Sequence, residues 1–117
     1  MLFRSFWNST GTGITAVGYQ AYAQISTATG NYNTAIGQLA LGSNTTASYN
    51  TAVGYQAGYS NTTGGVTAFG KGALYSNTTG LGNTALGEAA LGINSTSSYS
   101  TAVGSLDRKS TRLNSSH

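Results

Sequence analysis

Very few side chains in this sequence are of the types that carry out acid–base or metal chemistry. Its 117 residues include two acidic groups, Glu88 and Asp107, one histidine, His117, and no cysteine. General acid–base catalysis needs a positioned proton donor and acceptor, and metal sites need several His, Cys, Asp or Glu ligands together. We therefore expect no enzymatic activity, no catalytic residue, no metal site and no cofactor.

The glycine-rich segment around Lys71 is the one place that suggests phosphate binding. Gly70, Lys71 and Gly72 lack the spacing of a P-loop, and the corresponding segments elsewhere in the chain carry no lysine. We expect a solvent-exposed Lys71 and an equally solvated Glu88.

The positive charge of the chain is concentrated near its C terminus. Five basic and two acidic residues give a formal net charge of +3, but three of the basic residues lie within residues 107–117. Residues 1–106 hold Arg4, Lys71 and Glu88, which is two positive charges minus one negative, or +1. A nucleic-acid interface needs Lys and Arg clustered along the phosphate backbone, so we expect no nucleic-acid partner.

The two ends of the chain differ from its body. Residues 107–117 agree at all eleven positions with the in-frame translation of a common short-read sequencing adapter, so we expect an artefact tail and a natural chain cut off near Leu106. Residues 1–7 form an irregular apolar segment that Arg4 interrupts and that is too short for a secretory signal. No run approaches the roughly 20 apolar residues of a membrane span.

Between these ends, one tetrapeptide, Thr-Ala-apolar-Gly, occurs six times. The copies are Thr15-Ala16-Val17-Gly18, Thr34-Ala35-Ile36-Gly37, Thr51-Ala52-Val53-Gly54, Thr67-Ala68-Phe69-Gly70, Thr84-Ala85-Leu86-Gly87 and Thr101-Ala102-Val103-Gly104. They begin 19, 17, 16, 17 and 17 residues apart, and a polar turn such as residues 60–64 separates them. Such self-similarity indicates a repeat architecture, and we expect these positions to form its core and its contacts between chains.

The composition of the repeat favours short strands and tight turns. Frequent Gly and abundant Thr, Ser, Asn and Tyr disfavour helix, and the Asn side chains of the turns are expected to bond their own backbone. We expect an all-β fold over residues 8–106. It would be a parallel β-solenoid of about six coils, each with two short strands, one at the tetrapeptide and one at a segment such as residues 38–41.

The interior of such a coil would be very small. It would hold one apolar residue such as Val53, a Thr methyl group and an Ala. That burial is little against the roughly 1–2 kcal/mol of backbone entropy lost for each ordered residue. Oligomerisation is a usual remedy for a small core, so we expect several chains to pack side by side through the small Ala face.

Residues 50–64, Asn-Thr-Ala-Val-Gly-Tyr-Gln-Ala-Gly-Tyr-Ser-Asn-Thr-Thr-Gly, resemble the head repeats of trimeric autotransporter adhesins, the YadA-like head. The resemblance covers residues 8–104 and implies a left-handed parallel β-roll assembled as a homotrimer. It also implies that the residues flanking each central Ala point inward, which are Thr34 and Ile36, Thr51 and Val53, and Thr84 and Leu86. The longer repeat and the Thr in every copy depart from that family and resemble repeats of phage and bacterial tail fibres.

We therefore expect a structural and binding module rather than an enzyme. The resemblance implies a fragment of a cell-surface or outer-membrane adhesin that mediates cell adhesion, whose partners are its own copies and an unknown host cell-surface or extracellular-matrix receptor. The alternative is a segment of a virion or bacterial tail fibre involved in host attachment. A third possibility is an ice-binding or other β-solenoid. Against ice binding, each Thr shares its face with a larger apolar residue, and the intervals of 19 and 16 residues break a regular lattice.

Seven tyrosines, many of them beside Gly, admit two interpretations. Stacking from coil to coil along the solenoid is favoured over contact with a ligand. These residues are Tyr19, Tyr32, Tyr49, Tyr55, Tyr59, Tyr75 and Tyr99.

Overall fold

The computed structural model describes residues 10–22 and 28–106, so the predictions for residues 1–7 and 107–117 lie outside the described part. The strands are β1 (Thr15–Val17), β2 (Thr34–Ile36), β3 (Thr51–Val53), β4 (Thr67–Phe69), β5 (Thr84–Leu86) and β6 (Thr101–Val103). They form one sheet in chain order, with every neighbouring pair parallel. The predicted all-β parallel solenoid is thus confirmed, with about five turns between β1 and β6. The described residues include no helix long and apolar enough to cross a bilayer.

Each strand pairs with the next in the same register. Thr15 lies beside Thr34, Thr34 beside Thr51, and the pairing continues to Thr84 beside Thr101. The strands on either side of the 19-residue and 16-residue intervals pair in this same register. The unequal intervals therefore leave the lattice of the sheet intact, contrary to the expectation from sequence.

Each coil contains one strand, so the predicted second strand at residues 38–41 is wrong. Leu39 and Leu41 have φ angles of 63° and 52°, in the left-handed region, so this segment turns instead of extending. The Leu39 N–H donates to the carbonyl oxygen of Tyr19 in the preceding coil (3.0 Å), and the Leu41 N–H donates to that of Ala57 in the following coil (3.0 Å). The turn is therefore tied to both neighbouring coils without becoming a strand.

The core is a narrow column through the centre of the coils. Two rows of fully buried alanine run along it, one from the strand centres and one from the turns, represented by Ala52 and Ala57. Tyr22, Leu41, Leu74 and Leu91 fill the remaining apolar space, each with no exposed surface. Small residues on two sides let the coil close tightly around these few larger side chains.

Candidate functional site

The strands place the alanine of each tetrapeptide inside the coil and its two neighbours outside. Ala35, Ala52, Ala68 and Ala85 are fully buried, whereas Ile36, Phe69 and Leu86 are 38–40% exposed. Successive side chains of a strand point to opposite faces, so the Thr of each copy shares the outer face with the apolar residue. The inward orientation implied for Thr34 and Ile36, Thr51 and Val53, and Thr84 and Leu86 is therefore wrong.

The buried alanines cannot also form a contact between chains. Their side chains are already enclosed by their own coil, where only a methyl group fits beside the leucines and asparagines of the interior. The predicted association through an Ala face is therefore wrong. Any contact of the sheet with another chain has to use the outward Thr and apolar residues.

These outward residues form two parallel rows along the whole sheet, which we call the strand face. The pairing of β1 to β6 aligns the six Thr in one row and the six apolar residues in the other. The apolar row consists of Val17, Ile36, Val53, Phe69, Leu86 and Val103. Parallel sheets are ordinarily covered on both faces, so the partial exposure of this row within one chain is unusual.

A row of glycines follows the strands and brings the coils into close contact. Gly37, Gly54, Gly70 and Gly87 have φ angles between 125° and 132°. A Cβ atom on Gly54 would lie 2.7 Å from both the carbonyl carbon and the carbonyl oxygen of Gly70 in the next coil. This approach explains why the tetrapeptide always ends in Gly.

Two rows of buried asparagine line the interior, a role that was not predicted from the sequence. Asn33, Asn50 and Asn83 lie immediately before the strand Thr, and each accepts a hydrogen bond from a backbone N–H of the next coil at 2.8–3.0 Å. A second row lies in the turns: Asn44, Asn61, Asn77 and Asn94. These side chains donate to carbonyl oxygens of their own turns, as predicted. In the sequence, the repeated Asn immediately before the strand Thr is the pattern from which the first row could have been predicted.

The 16-residue coil interrupts this ladder. Its missing residue lies between Asn61 and Val66, and Asn61 donates to Thr63, two residues on, where Asn77 donates three residues on to Gly80. The buried atoms Asn44 Oδ1 and Asn50 Nδ2 have no hydrogen-bond partner among the residues that the structure describes. Elsewhere Asn77 donates to Asn61 Oδ1 and Asn83 donates to the Ser97 carbonyl oxygen, and neither bond has a counterpart at Asn44 Oδ1 or Asn50 Nδ2.

The tyrosines stack as predicted in two pairs. The Tyr32 and Tyr49 rings have centroids 5.5 Å apart at an interplanar angle of 20°, and the Tyr59 and Tyr75 rings are 5.3 Å apart at 14°. An eighth tyrosine, Tyr22, is a core residue whose hydroxyl donates to the carbonyl oxygen of Gly30 at 2.9 Å. The other tyrosines named above remain largely exposed.

Charged groups are scarce on the described surface. Lys71 and Glu88 are the only charged side chains within residues 10–22 and 28–106, and both are exposed. Lys71 Nζ lies 3.7 Å from Glu88 Oε2 on the adjacent coil. Over the described ranges, no three His, Cys, Asp or Glu residues lie close enough to hold a metal ion. The groups that the described surface does present offer apolar contact, ring stacking and neutral hydrogen bonding.

In comparisons with known proteins, no family model, no curated protein and no solved structure matches this chain.

Proposed function

We propose that the chain is a structural and binding module, the repeat rod of a homotrimeric fibre that stands on a cell surface and mediates adhesion. The single observation that carries this proposal is the strand face. Its apolar row runs in register through all six strands and is left partly exposed by its own chain. The apolar row of a second copy of the chain has the same spacing and could pack against it.

The energetics of the coil support association. Each coil buries mainly alanine, one larger side chain and hydrogen-bonded asparagine, so a single chain gains little apolar burial per residue. Covering Ile36, Phe69 and Leu86 would remove apolar surface from water at each coil, and these gains would add along the rod. Closed cyclic symmetry lets every chain turn its one apolar face towards a common axis, and the adhesin resemblance favours three chains.

Assembly is tested by the mass of the purified chain in solution, measured by light scattering over a range of concentrations. We expect the mass of three chains. A stable, monodisperse monomer at every concentration would contradict the proposal.

A tail fibre remains the alternative to an adhesin, since the same rod serves both. Re-sequencing the source nucleic acid through the codon of Leu106 discriminates between them. A heptad stalk followed by amphipathic membrane strands would support an outer-membrane adhesin. A compact domain in that place, with no membrane anchor, would support a tail fibre involved in host attachment.

One specific observation favours ice binding as a further candidate. The Thr row is outward and in register across β1 to β6, which removes the objection drawn from the unequal intervals. The adjacent apolar row mixes Val, Ile, Phe and Leu, so the strand face is less flat than a regular ice surface requires. Thermal hysteresis of the purified chain tests this candidate, and a Thr51→Leu and Thr67→Leu double variant should abolish any activity that the Thr row supplies.

A further inference from the structure

One repeat position forms a column of tyrosine and glycine along the edge of the strand face. It is the position immediately before the first interior row, and we call it the tyrosine column. Its members, from first coil to last, are Gly13, Tyr32, Tyr49, Gly65, Gly82 and Tyr99. All six have φ angles between 57° and 76°, so they share one backbone conformation.

Each ring of the tyrosine column leans over the coil before its own. A Cβ atom on Gly13 would lie 2.6 Å from the Tyr32 ring, and one on Gly82 would lie 2.8 Å from the Tyr99 ring. Tyr49 likewise stacks on Tyr32. The glycines at positions 13 and 82 therefore make room for the ring that follows them.

Gly65 breaks the stack and leaves a slot. Among the described residues, the nearest neighbour of a Cβ atom on Gly65, apart from its two chain neighbours, would be the Gly82 nitrogen at 3.9 Å, so no described ring covers it. One face of the Tyr49 ring is occupied by Tyr32, and its other face opens towards Gly65. The next ring, Tyr99, is three coils further on, about 14 Å at the usual spacing of about 4.8 Å between strands. Tyr49 is 68% exposed and Tyr99 is 75% exposed, so the slot opens to solvent.

The surroundings of the slot are polar and uncharged. Thr51 and Thr67 of the strand face each follow a column position by two residues, and Ser48 precedes Tyr49. The only charged groups within residues 10–22 and 28–106, Lys71 and Glu88, lie together as an ion pair. An aromatic platform with neutral hydroxyls beside it suits a ligand that has an apolar ring face and hydroxyl groups at its edge. It offers no attraction to a phosphate-rich ligand.

We propose that the slot between Tyr49 and Tyr99 binds a sugar ring of a neutral glycan. The ring continues the stack where Gly65 supplies no side chain, with its C–H face on Tyr49 and its hydroxyls towards Ser48 and solvent. This inference deepens the proposed function, on which it rests, by naming the chemical class of the receptor.

The test is affinity electrophoresis of the full chain in native gels that contain a soluble neutral polysaccharide. The probes are dextran, a mixed-linkage β-glucan and a galactomannan, and heparin serves as an anionic comparison. We expect retardation by at least one neutral polymer. The decisive variant is Gly65→Tyr, which covers the open face of Tyr49 with a ring in a conformation that Tyr32 and Tyr49 already adopt. Its association constant should fall at least tenfold, about 1.4 kcal/mol.

The matched control is Gly72→Tyr, because Gly72 also has a positive φ angle, 69°, and open space where its Cβ would lie. That variant should bind like the parent chain. Tyr49→Ser removes the platform without adding bulk and should also lose binding, which keeps the test decisive if Gly65→Tyr folds poorly by circular dichroism.

Three outcomes would overturn the inference: no retardation by any neutral polymer, retardation by heparin alone, or neutral-polymer binding that survives both Gly65→Tyr and Tyr49→Ser. The mass measurement decides assembly independently, so a trimer without glycan binding refutes only the receptor class.

Discussion

The glycine that ends each tetrapeptide is required for two separable reasons. Its φ angle near 130° is unfavourable for any residue with a Cβ atom, at a cost of about 1–3 kcal/mol. In the inner coils a Cβ atom at this position would also collide with the backbone of the next coil. Gly104 has the first constraint alone, since its φ angle is 128° and no described residue beyond its chain neighbours has an atom within 4 Å of a Cβ built there.

Gly54→Ala and Gly104→Ala therefore separate conformational strain from close contact. Both variants should be destabilised by the strain, and Gly54→Ala should lose at least about 2 kcal/mol more because two backbones must move apart. The free energy of unfolding from urea titrations measures the difference. Equal losses would mean that the coils accommodate a methyl group at this contact.

At the scale of the coil, the asparagine rows replace the missing apolar volume with hydrogen bonds. Asn83 is fully used: its Nδ2 donates to Asn77 Oδ1 at 3.0 Å and to the Ser97 carbonyl at 2.7 Å, and its Oδ1 accepts from the Ser100 N–H at 2.8 Å. The side chain of Asn50, in the shortened coil, makes one bond to the described residues, accepting from the Val66 N–H at 3.0 Å. Asparagine at the same repeat position thus makes different numbers of side-chain hydrogen bonds in the two coils.

We expect Asn83→Ala to destabilise the chain by about 2 kcal/mol more than Asn50→Ala. Each variant leaves one backbone N–H without its acceptor, but Asn83→Ala also removes two satisfied bonds, whereas Asn50→Ala removes an amide that has no partner. Urea unfolding of the two variants side by side measures this. A larger loss for Asn50→Ala would show that its amide is satisfied in solution, for example by a buried water.

Sequence reasoning located the strands of this fold but misjudged their faces. The six tetrapeptides become β1 to β6 at the predicted residues because their spacing alone defines the coil. Alternation along three residues cannot say which face is inside, since Ala52 and Val53 are both apolar. Which side chain points inward depends on the space inside the coil, and Asn50 and Leu41 already fill most of it. That space is set by the stacking of several coils and cannot be read from one repeat. The slot beside Tyr49 could not be predicted either, because it depends on the direction in which the tyrosine rings tilt, and only the structure shows that direction.

At the scale of the whole molecule, the strand face is the surface on which the proposed assembly of this thin rod depends. Each coil contacts only its neighbours, so the stability of the rod is a sum of small contributions from one coil to the next. Each of the six strands supplies one outward apolar residue, so a partner copy would contact the apolar row along its full length. Folding would then depend on one face of the three-residue strands and the proposed assembly on the other.

Two adjacent substitutions in β3 test this division. Ala52→Arg places a charge in the closed interior, where nothing pairs with it, and should prevent folding, seen as loss of the native circular dichroism spectrum. Val53→Arg places the same charge on the strand face and should leave the chain folded but monomeric, because three like charges would meet at the proposed axis. Tyr55→Arg, exposed and beyond the strand, is the control that should still assemble. A folded Val53→Arg variant with an unchanged trimer mass would rule out the strand face as the contact, and a folded Ala52→Arg variant would contradict the inward position of the alanines.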